Sequence, residues 1–197
     1  MNENIFRRIE QKYLITEKQK NELLNLIDKY IEKDMFFESK ISNIYFDNDN
    51  YDMIVSSLEK PLFKVKLRLR SYDVPRLNSK VFLEIKDKYK GVVGKRREKM
   101  SLEEFYNYYD NGLYKNKQIM KEIDYYFKMF KLQPSIFVAY DRNSYCERNN
   151  KDLRITFDSN LRYRMNNLRL ELGSDGEKYF NDDIYIMEIK ALDAIPL

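Results

Sequence analysis

The sequence predicts an α+β fold, an antiparallel β-barrel with helices packed on its outside, and three observations lead there. At least five segments alternate apolar and charged residues with a period of two, two longer segments place apolar residues at helical spacing, and charged residues make up 35% of the chain. At 197 residues the chain can bury a sizeable core as one domain, whereas two halves would each be marginal, so residues 1–197 are read as a single domain.

Taken in order, Ile5 to Ile15 alternates and reads as a strand, and Glu17 to Ile31 reads as an amphipathic helix through Leu23, Leu24, Ile27, Tyr30 and Ile31. Ile41 to Phe46 is a second strand, followed by a short helix over Tyr51 to Leu58 that closes before Pro61. Leu62 to Tyr72, Lys80 to Tyr89 and Val92 to Met100 form a meander, its last two strands joined around Lys90-Gly91, a good hairpin pair. Leu102 to Tyr109 and Lys117 to Lys131 are helical, the second with a stripe of Ile119, Ile123, Tyr126, Phe127 and Phe130, and Pro134 ends the section. Strands over Ile136 to Arg148, Leu153 to Phe157, Arg162 to Met165, Leu168 to Leu172 and Tyr185 to Ala191 complete a second β-rich half.

Composition excludes several chemistries. With no histidine, Ser-His-Asp and Cys-His nucleophile systems and His-ligated zinc are closed. The single Cys146 permits no intramolecular disulfide, which fits a reducing compartment, and a cytoplasmic location is expected. Five glycines and no GxxxxGK[ST] or GxGxxG leave no glycine-rich phosphate loop, so any phosphate must be held by side chains. A net charge of +4 gives no overall field of the kind nucleic-acid proteins carry, and no apolar run reaches the length of a membrane span.

The charges are sorted by face. Residues two apart in a strand share a side, so Lys66, Arg68 and Arg70 lie together, opposite Val65, Leu67 and Leu69. The same division sets Glu84 and Lys86 against Leu83 and Ile85, and Glu188 and Lys190 against Met187 and Ile189; Arg8, Glu10 and Lys12 form another set, as do Lys95 and Arg97. A sheet with one face on a core and the other in water produces this pattern too. Two features favour an inward charged face: Arg is used at positions 68, 70, 142 and 154 in a chain otherwise rich in Lys, and helices covering the apolar faces from outside leave the charged faces to line the interior of a curled sheet. So many cations need a long polyanion or carboxylates to neutralise them.

At this point several segments resemble a known family: Arg8-Ile-Glu10-Gln-Lys12-Tyr13; Ser42-Asn-Ile-Tyr45-Phe46-Asp47; Lys66-Leu-Arg68-Leu-Arg70-Ser-Tyr72; Val81-Phe-Leu-Glu84-Ile-Lys86; Gly91-Val-Val-Gly-Lys95-Arg96-Arg97; Ala139-Tyr140-Asp141-Arg142; Leu153-Arg154-Ile-Thr156-Phe-Asp158; and Met187-Glu188-Ile-Lys190 with Ala194-Ile-Pro196. In this order they are similar to the catalytic domain of the vacuolar transporter chaperone (VTC) polyphosphate polymerases, a branch of the triphosphate tunnel metalloenzymes with CYTH-like folds.

The resemblance implies a tunnel barrel that grips a nucleoside triphosphate and polyphosphate, and transfer of a γ-phosphoryl group onto the growing chain. It implies phosphate-binding roles for Lys12, Arg68, Arg70, Lys86, Lys95, Arg97, Arg142, Arg154 and Lys190, with Arg68, Arg70, Lys86, Arg142 and Arg154 closest to the chemistry. It implies Mn²⁺ or Mg²⁺ at Glu188, with Glu10 and Glu84 as helpers. Hard divalent ions take carboxylate oxygens and bridge phosphates, which agrees with that set. Arg142 and Asp158 can equally form a structural ion pair, and Tyr45, Tyr72 and Tyr140 are packing residues as readily as ligands. An inorganic triphosphatase and a non-catalytic polyphosphate or nucleotide sensor are the alternatives. No nucleic-acid partner is expected, because Glu84 and Glu188 share the basic faces. The resemblance further implies a membrane-protein partner, at the cytoplasmic face of a membrane, and a family helix and strand beyond Leu197.

Overall fold

The computed structural model describes residues 8–59, 61–90, 92–149 and 152–192. The chain is α+β and antiparallel in every pair whose register is recorded, as the sequence predicts. Its contacts divide it into two compact units, and the strands β2 (Ile31–Asp47), β6 (Gln133–Glu147) and β7 (Arg154–Arg164) each contribute to both.

The first unit takes residues up to Lys40, Tyr140–Leu161 and Lys178 onward. Here β1 (Arg8–Thr16) pairs with β9 (Ile184–Leu192), which pairs with β7, and the order continues through β6 to β2. Helix α1 (Glu17–Ile27) starts at a capping box: Thr16 Oγ1 accepts from Gln19 N at 3.3 Å and Gln19 Oε1 from Thr16 N at 2.9 Å. Its Leu23, Leu24 and Ile27 cover a small core of Ile31, Ile155, Phe157 and Met187.

The second unit, Ile41–Ala139 and Arg162–Glu177, holds the meander of β3 (Phe63–Tyr72), β4 (Lys80–Tyr89) and β5 (Val92–Ser101), with β2 beside β3. Helix α2 (Asp52–Leu58) is anchored by the buried Asp47 carboxylate, which accepts from Met53 N and Ile54 N at 3.0 Å each. Helix α3 (Leu102–Asn111) opens on a Ser101–Glu104 capping box and ends at Gly112, whose φ of 69° suits a residue without a Cβ. Phe105 and Tyr108 of α3, with Met120 and Ile123 of α4 (Gln118–Phe130), pack on Leu67, Leu69, Leu83 and Ile85. The helices therefore cover the apolar face of the meander, and the charged face is the other one. The two-residue β8 (Glu177–Lys178) pairs with β7.

Several elements differ from the sequence expectation. The helix expected over Glu17 to Ile31 stops at Ile27, and Ile31 already begins β2, ten residues ahead of the expected Ile41, because Ile31 is needed in the core of the first unit. The strands expected over Leu153 to Phe157 and Arg162 to Met165 merge into one, β7, from Arg154 to Arg164, which passes Asn160 at φ 51° without breaking. Leu168 to Leu172 is not a strand: a single 3-10 turn forms at Leu170–Leu172. β6 starts at Gln133 and not at the expected Ile136, so Pro134 is the second residue of the strand. The start of the first strand at Ile5, Gly91 of the hairpin and the Ala194-Ile-Pro196 segment lie outside the described residues. Among those residues no helix is long and apolar enough to cross a membrane.

Candidate functional site

Register sorts the charged face of the meander into rows. Lys66, Lys86 and Lys95 are directly opposite across β3, β4 and β5, and so are Arg68, Glu84 and Arg97 in the next row. Like charges facing each other on adjacent strands destabilise a sheet unless an anion joins them. β2 adds Tyr45 opposite Arg68 and Asn43 opposite Arg70.

Glu84 is the hub of this group and is only 1% exposed. Arg68 Nε donates to its Oε2 at 2.7 Å, with Nη2 also 2.7 Å away, and Arg70 Nε lies 3.9 Å from the same oxygen. Lys95 Nζ stands 3.0 Å from the other oxygen, Oε1, and pairs with its charge. Burial alone would raise the Glu84 carboxyl, but Arg68, Arg70 and Lys95 outweigh it and hold the group below its usual range. Burial together with the two arginines pushes the Lys95 ammonium down, against the pull of Glu84.

Neutral residues complete the arrangement. Arg68 Nη1 donates to the Tyr45 hydroxyl at 3.2 Å; burial would raise that phenol, but Arg68, Arg70 and Lys66 bring it below its ordinary value. Arg70 Nε donates to Asn43 Oδ1 at 2.9 Å, and Asn43 Nδ2 donates to the Val138 carbonyl at 3.2 Å. The Arg97 guanidinium lies 4.7 Å from the centre of the Phe82 ring. Arg96 points to the helix side, where Glu122 and Asp87 bind it.

The first unit carries a second group, around Glu188, which is 5% exposed. Lys12 of β1 and Thr156 of β7 sit opposite it on either side, and Glu10 and Arg154 flank Lys190 in the next row. Lys190 Nζ donates to Glu188 Oε2 at 2.9 Å, Lys12 Nζ lies 3.6 Å from Oε1, and Arg142 Nη2 lies 3.8 Å from Oε2. Burial would raise the Glu188 carboxyl, but a hydrogen bond with Glu10 and the charges of Lys190 and Lys12 depress it strongly. Arg142 forms a two-pronged pair with Asp158, Nε to Oδ1 at 2.6 Å and Nη2 to Oδ2 at 2.7 Å, which outweighs burial and raises the guanidinium. Arg154 is half exposed and bound to Asp34, which also accepts from Ser144 Oγ at 3.2 Å.

The expected residues thus collect in two groups: Arg68, Arg70, Lys86, Lys95, Arg97 and Glu84 in the second unit, and Glu10, Lys12, Arg142, Arg154, Glu188 and Lys190 in the first. The Arg8 side chain lies outside the described residues. Sequence reasoning missed Asn43, Thr156 and Asp34. The first two were within reach, since both lie two residues from charged or polar residues on the same strand face; Asp34 lay in the stretch between Ile31 and Ile41 that was assigned to no element. Among the described residues no three acidic or thiol side chains converge as a metal cage. The adjoining carboxyls of Glu10 and Glu188 instead suit a hard cation that arrives with phosphate oxygens and keeps its waters. A cavity of about 490 Å³ among β5, α3 and α4, lined by Met100, Tyr108, Leu113, Tyr114 and Met120, holds none of these residues.

Comparison with known proteins follows the same lines. The family profile described as VTC domain matches residues 7–197. No curated protein matches the chain. Among solved structures, a putative adenylate cyclase from Bacillus halodurans is similar at a TM-score of 0.57 and 13% identity, over 93% of this chain and 80% of that one. A putative adenylyl cyclase from Hippeastrum, described as having a dominant triphosphatase activity, is similar at 0.51 and 15%, over 93% and 78%. A putative adenylate cyclase from Vibrio parahaemolyticus follows at 0.50 and 12%, over 96% and 78%. At these identities the likeness establishes a shared fold.

Proposed function

This chain belongs to the VTC domain family, a branch of the triphosphate tunnel superfamily, and on that premise we propose that it is a metal-dependent polyphosphate polymerase using a nucleoside triphosphate. The observation that carries this reading is the pair of buried glutamates, Glu84 embedded among cations from two strands and Glu188 among cations from three. Each of these two groups suits a ligand with repeated negative charge, bound together with a cation.

In this reading Arg68, Arg70, Lys86, Lys95 and Arg97, with Lys12, Arg142, Arg154 and Lys190, bind phosphate oxygens. Glu188 and Glu10, with Glu84 as a further carboxylate, would hold Mn²⁺ or Mg²⁺, which supplies charge neutralisation on the phosphates. The bond between the γ-phosphorus and the bridging oxygen breaks, a terminal oxygen of the acceptor chain forms the new bond, and nucleoside diphosphate leaves with the bridging oxygen. The protein contributes no nucleophile. Arg68, Arg70, Lys86, Arg142 and Arg154 orient the phosphoryl group and spread its charge, Arg68 being pre-aimed by Glu84 and Tyr45, and Arg142 by Asp158. A cytoplasmic site of action and a membrane-protein partner that receives the product belong to the same reading.

A second reading is supported by the triphosphatase activity ascribed to the Hippeastrum protein of the same fold: water replaces the acceptor and free phosphate is released. The test incubates the protein with ATP and Mn²⁺, with and without pyrophosphate as primer, and follows ADP, phosphate and long-chain polyphosphate beside Glu188→Ala. Polyphosphate made by the parent and lost in the variant is the expected result. Phosphate without polymer would replace the polymerase by the hydrolase, and tight tripolyphosphate binding without turnover would leave a sensor.

A further inference from the structure

Thr156 is 3% exposed, and its Oγ1 is buried with no hydrogen-bond partner. Buried hydroxyls are as a rule paired, so an unpaired one beside a charged group calls for an explanation. Its place in the sheet narrows the choice. Thr156 is in register with Glu188, which is in register with Lys12, so the three side chains form one row on the face that α1 does not cover.

Every charged neighbour in that row and the next is already engaged. Arg154, two residues before, is bound to Asp34; Asp158, two residues after, is bound through both oxygens to Arg142; Glu188 is held by Lys190, Lys12 and Arg142. The hydroxyl beside them is neutral, fixed by a β-branched side chain in a strand, and has a proton to give. No acceptor among the described residues is aligned on that hydroxyl, and the acceptor most compatible with the surrounding cations is an anionic oxygen.

We infer that Thr156 is a phosphate-contacting residue, whose hydroxyl donates to a non-bridging oxygen of the polyanion drawn in by Lys12, Lys190 and Arg142. This rests on the polyphosphate reading of the site and adds to it a neutral donor that fixes the polyanion in position where the lysines supply attraction without direction.

Isothermal titration with inorganic tripolyphosphate, with and without Mn²⁺, separates the possibilities in the wild type, Thr156→Val and Thr156→Ser. Valine keeps the shape and removes the hydroxyl, and should weaken binding about tenfold or more, the effect of losing a hydrogen bond to a charged acceptor. Serine keeps the hydroxyl and should bind within a few-fold of wild type. Ligand-free Thr156→Val should melt at or above the wild-type temperature, since it deletes a polar atom that had no partner. Equal affinity of wild type and Thr156→Val would overturn the inference alone, as would a serine variant that binds as poorly as the valine one. Failure of the wild type to bind tripolyphosphate would overturn the polyphosphate reading and this inference with it.

Discussion

Arg68 reaches Glu84 with two nitrogens, Nε and Nη2, and both lie 2.7 Å from the same oxygen, Oε2. The Arg142–Asp158 pair is built differently, each nitrogen meeting its own oxygen. Asp158 thereby meets its arginine with both oxygens, whereas Glu84 gives one oxygen to Arg68 and the other to Lys95, 3.0 Å away. One pair braces a single arginine; the other joins cations of two strands through one carboxylate.

Removing the hub should therefore be costly. Glu84→Ala leaves Arg68, Arg70 and Lys95 without their carboxylate, and stripping one member from a buried charge group costs roughly 3–5 kcal/mol. Urea denaturation should show that loss, and added tripolyphosphate should recover part of it by replacing the missing negative charge. A variant as stable as the parent would mean the cations relax into water.

Acid should unfold the protein through Glu84 and Glu188. Both carboxyls are depressed in the folded state, so their stabilisation is complete above the unfolded carboxyl value of about 4.3 and disappears as pH falls through the lower folded values. Stability should be level from about pH 5 to 7 on this account and decline below about 4.3. Glu188→Gln, followed by thermal melts across that range, should show a shallower decline than wild type.

Tyr45 offers an alkaline counterpart. Its phenol ionises more readily than an ordinary tyrosine because Arg68, Arg70 and Lys66 outweigh its burial. Titration by phenolate absorbance should show one early-ionising tyrosine that is absent in Tyr45→Phe. Its ionisation adds a negative charge beside Arg68, so tripolyphosphate affinity should fall at lower pH in wild type than in the Phe variant.

Arg164 organises the segment after β7. It donates to the carbonyls of Asn167, Arg169, Gly173 and Asp175 and lies 3.6 Å from the centre of the Phe137 ring. Arg164→Leu leaves four carbonyls without their donor and should cost about 3 kcal/mol, with faster proteolysis between 166 and 176. Gly176→Ala should produce the same phenotype, because an added Cβ would fall 2.5 Å from the Tyr163 carbonyl oxygen.

The meander was legible in the sequence because Leu67, Leu69, Leu83 and Ile85 alternate strictly with Lys66, Arg68, Glu84 and Lys86, and only one register buries the apolar set. The early half of β2 was not, since Tyr30 and Ile31 continue a helical stripe, and only the core around Phe157, remote in sequence, recruits Ile31 to a strand. The 3-10 turn at Leu170 was hidden for a similar reason: its form depends on Arg164 binding the surrounding carbonyls. Within the candidate site, the charged residues announced themselves by type, while Asn43 and Thr156 carried only the weaker signal of their strand face until register set them beside Arg70 and Glu188.

The pairing of β1 with β9 has a consequence for how the protein is made. Arg8 is in register with Leu192, so the row that contains Lys12 and Glu188 cannot form until β9, far downstream at Ile184–Leu192, has been synthesised. The meander, whose partners are close in sequence, can organise while translation continues. A nascent chain arrested before β9 would already display a cationic sheet with no Glu188 on it, so the ribosome-bound intermediate should hold polyanions, RNA included, more loosely and less selectively than the finished protein.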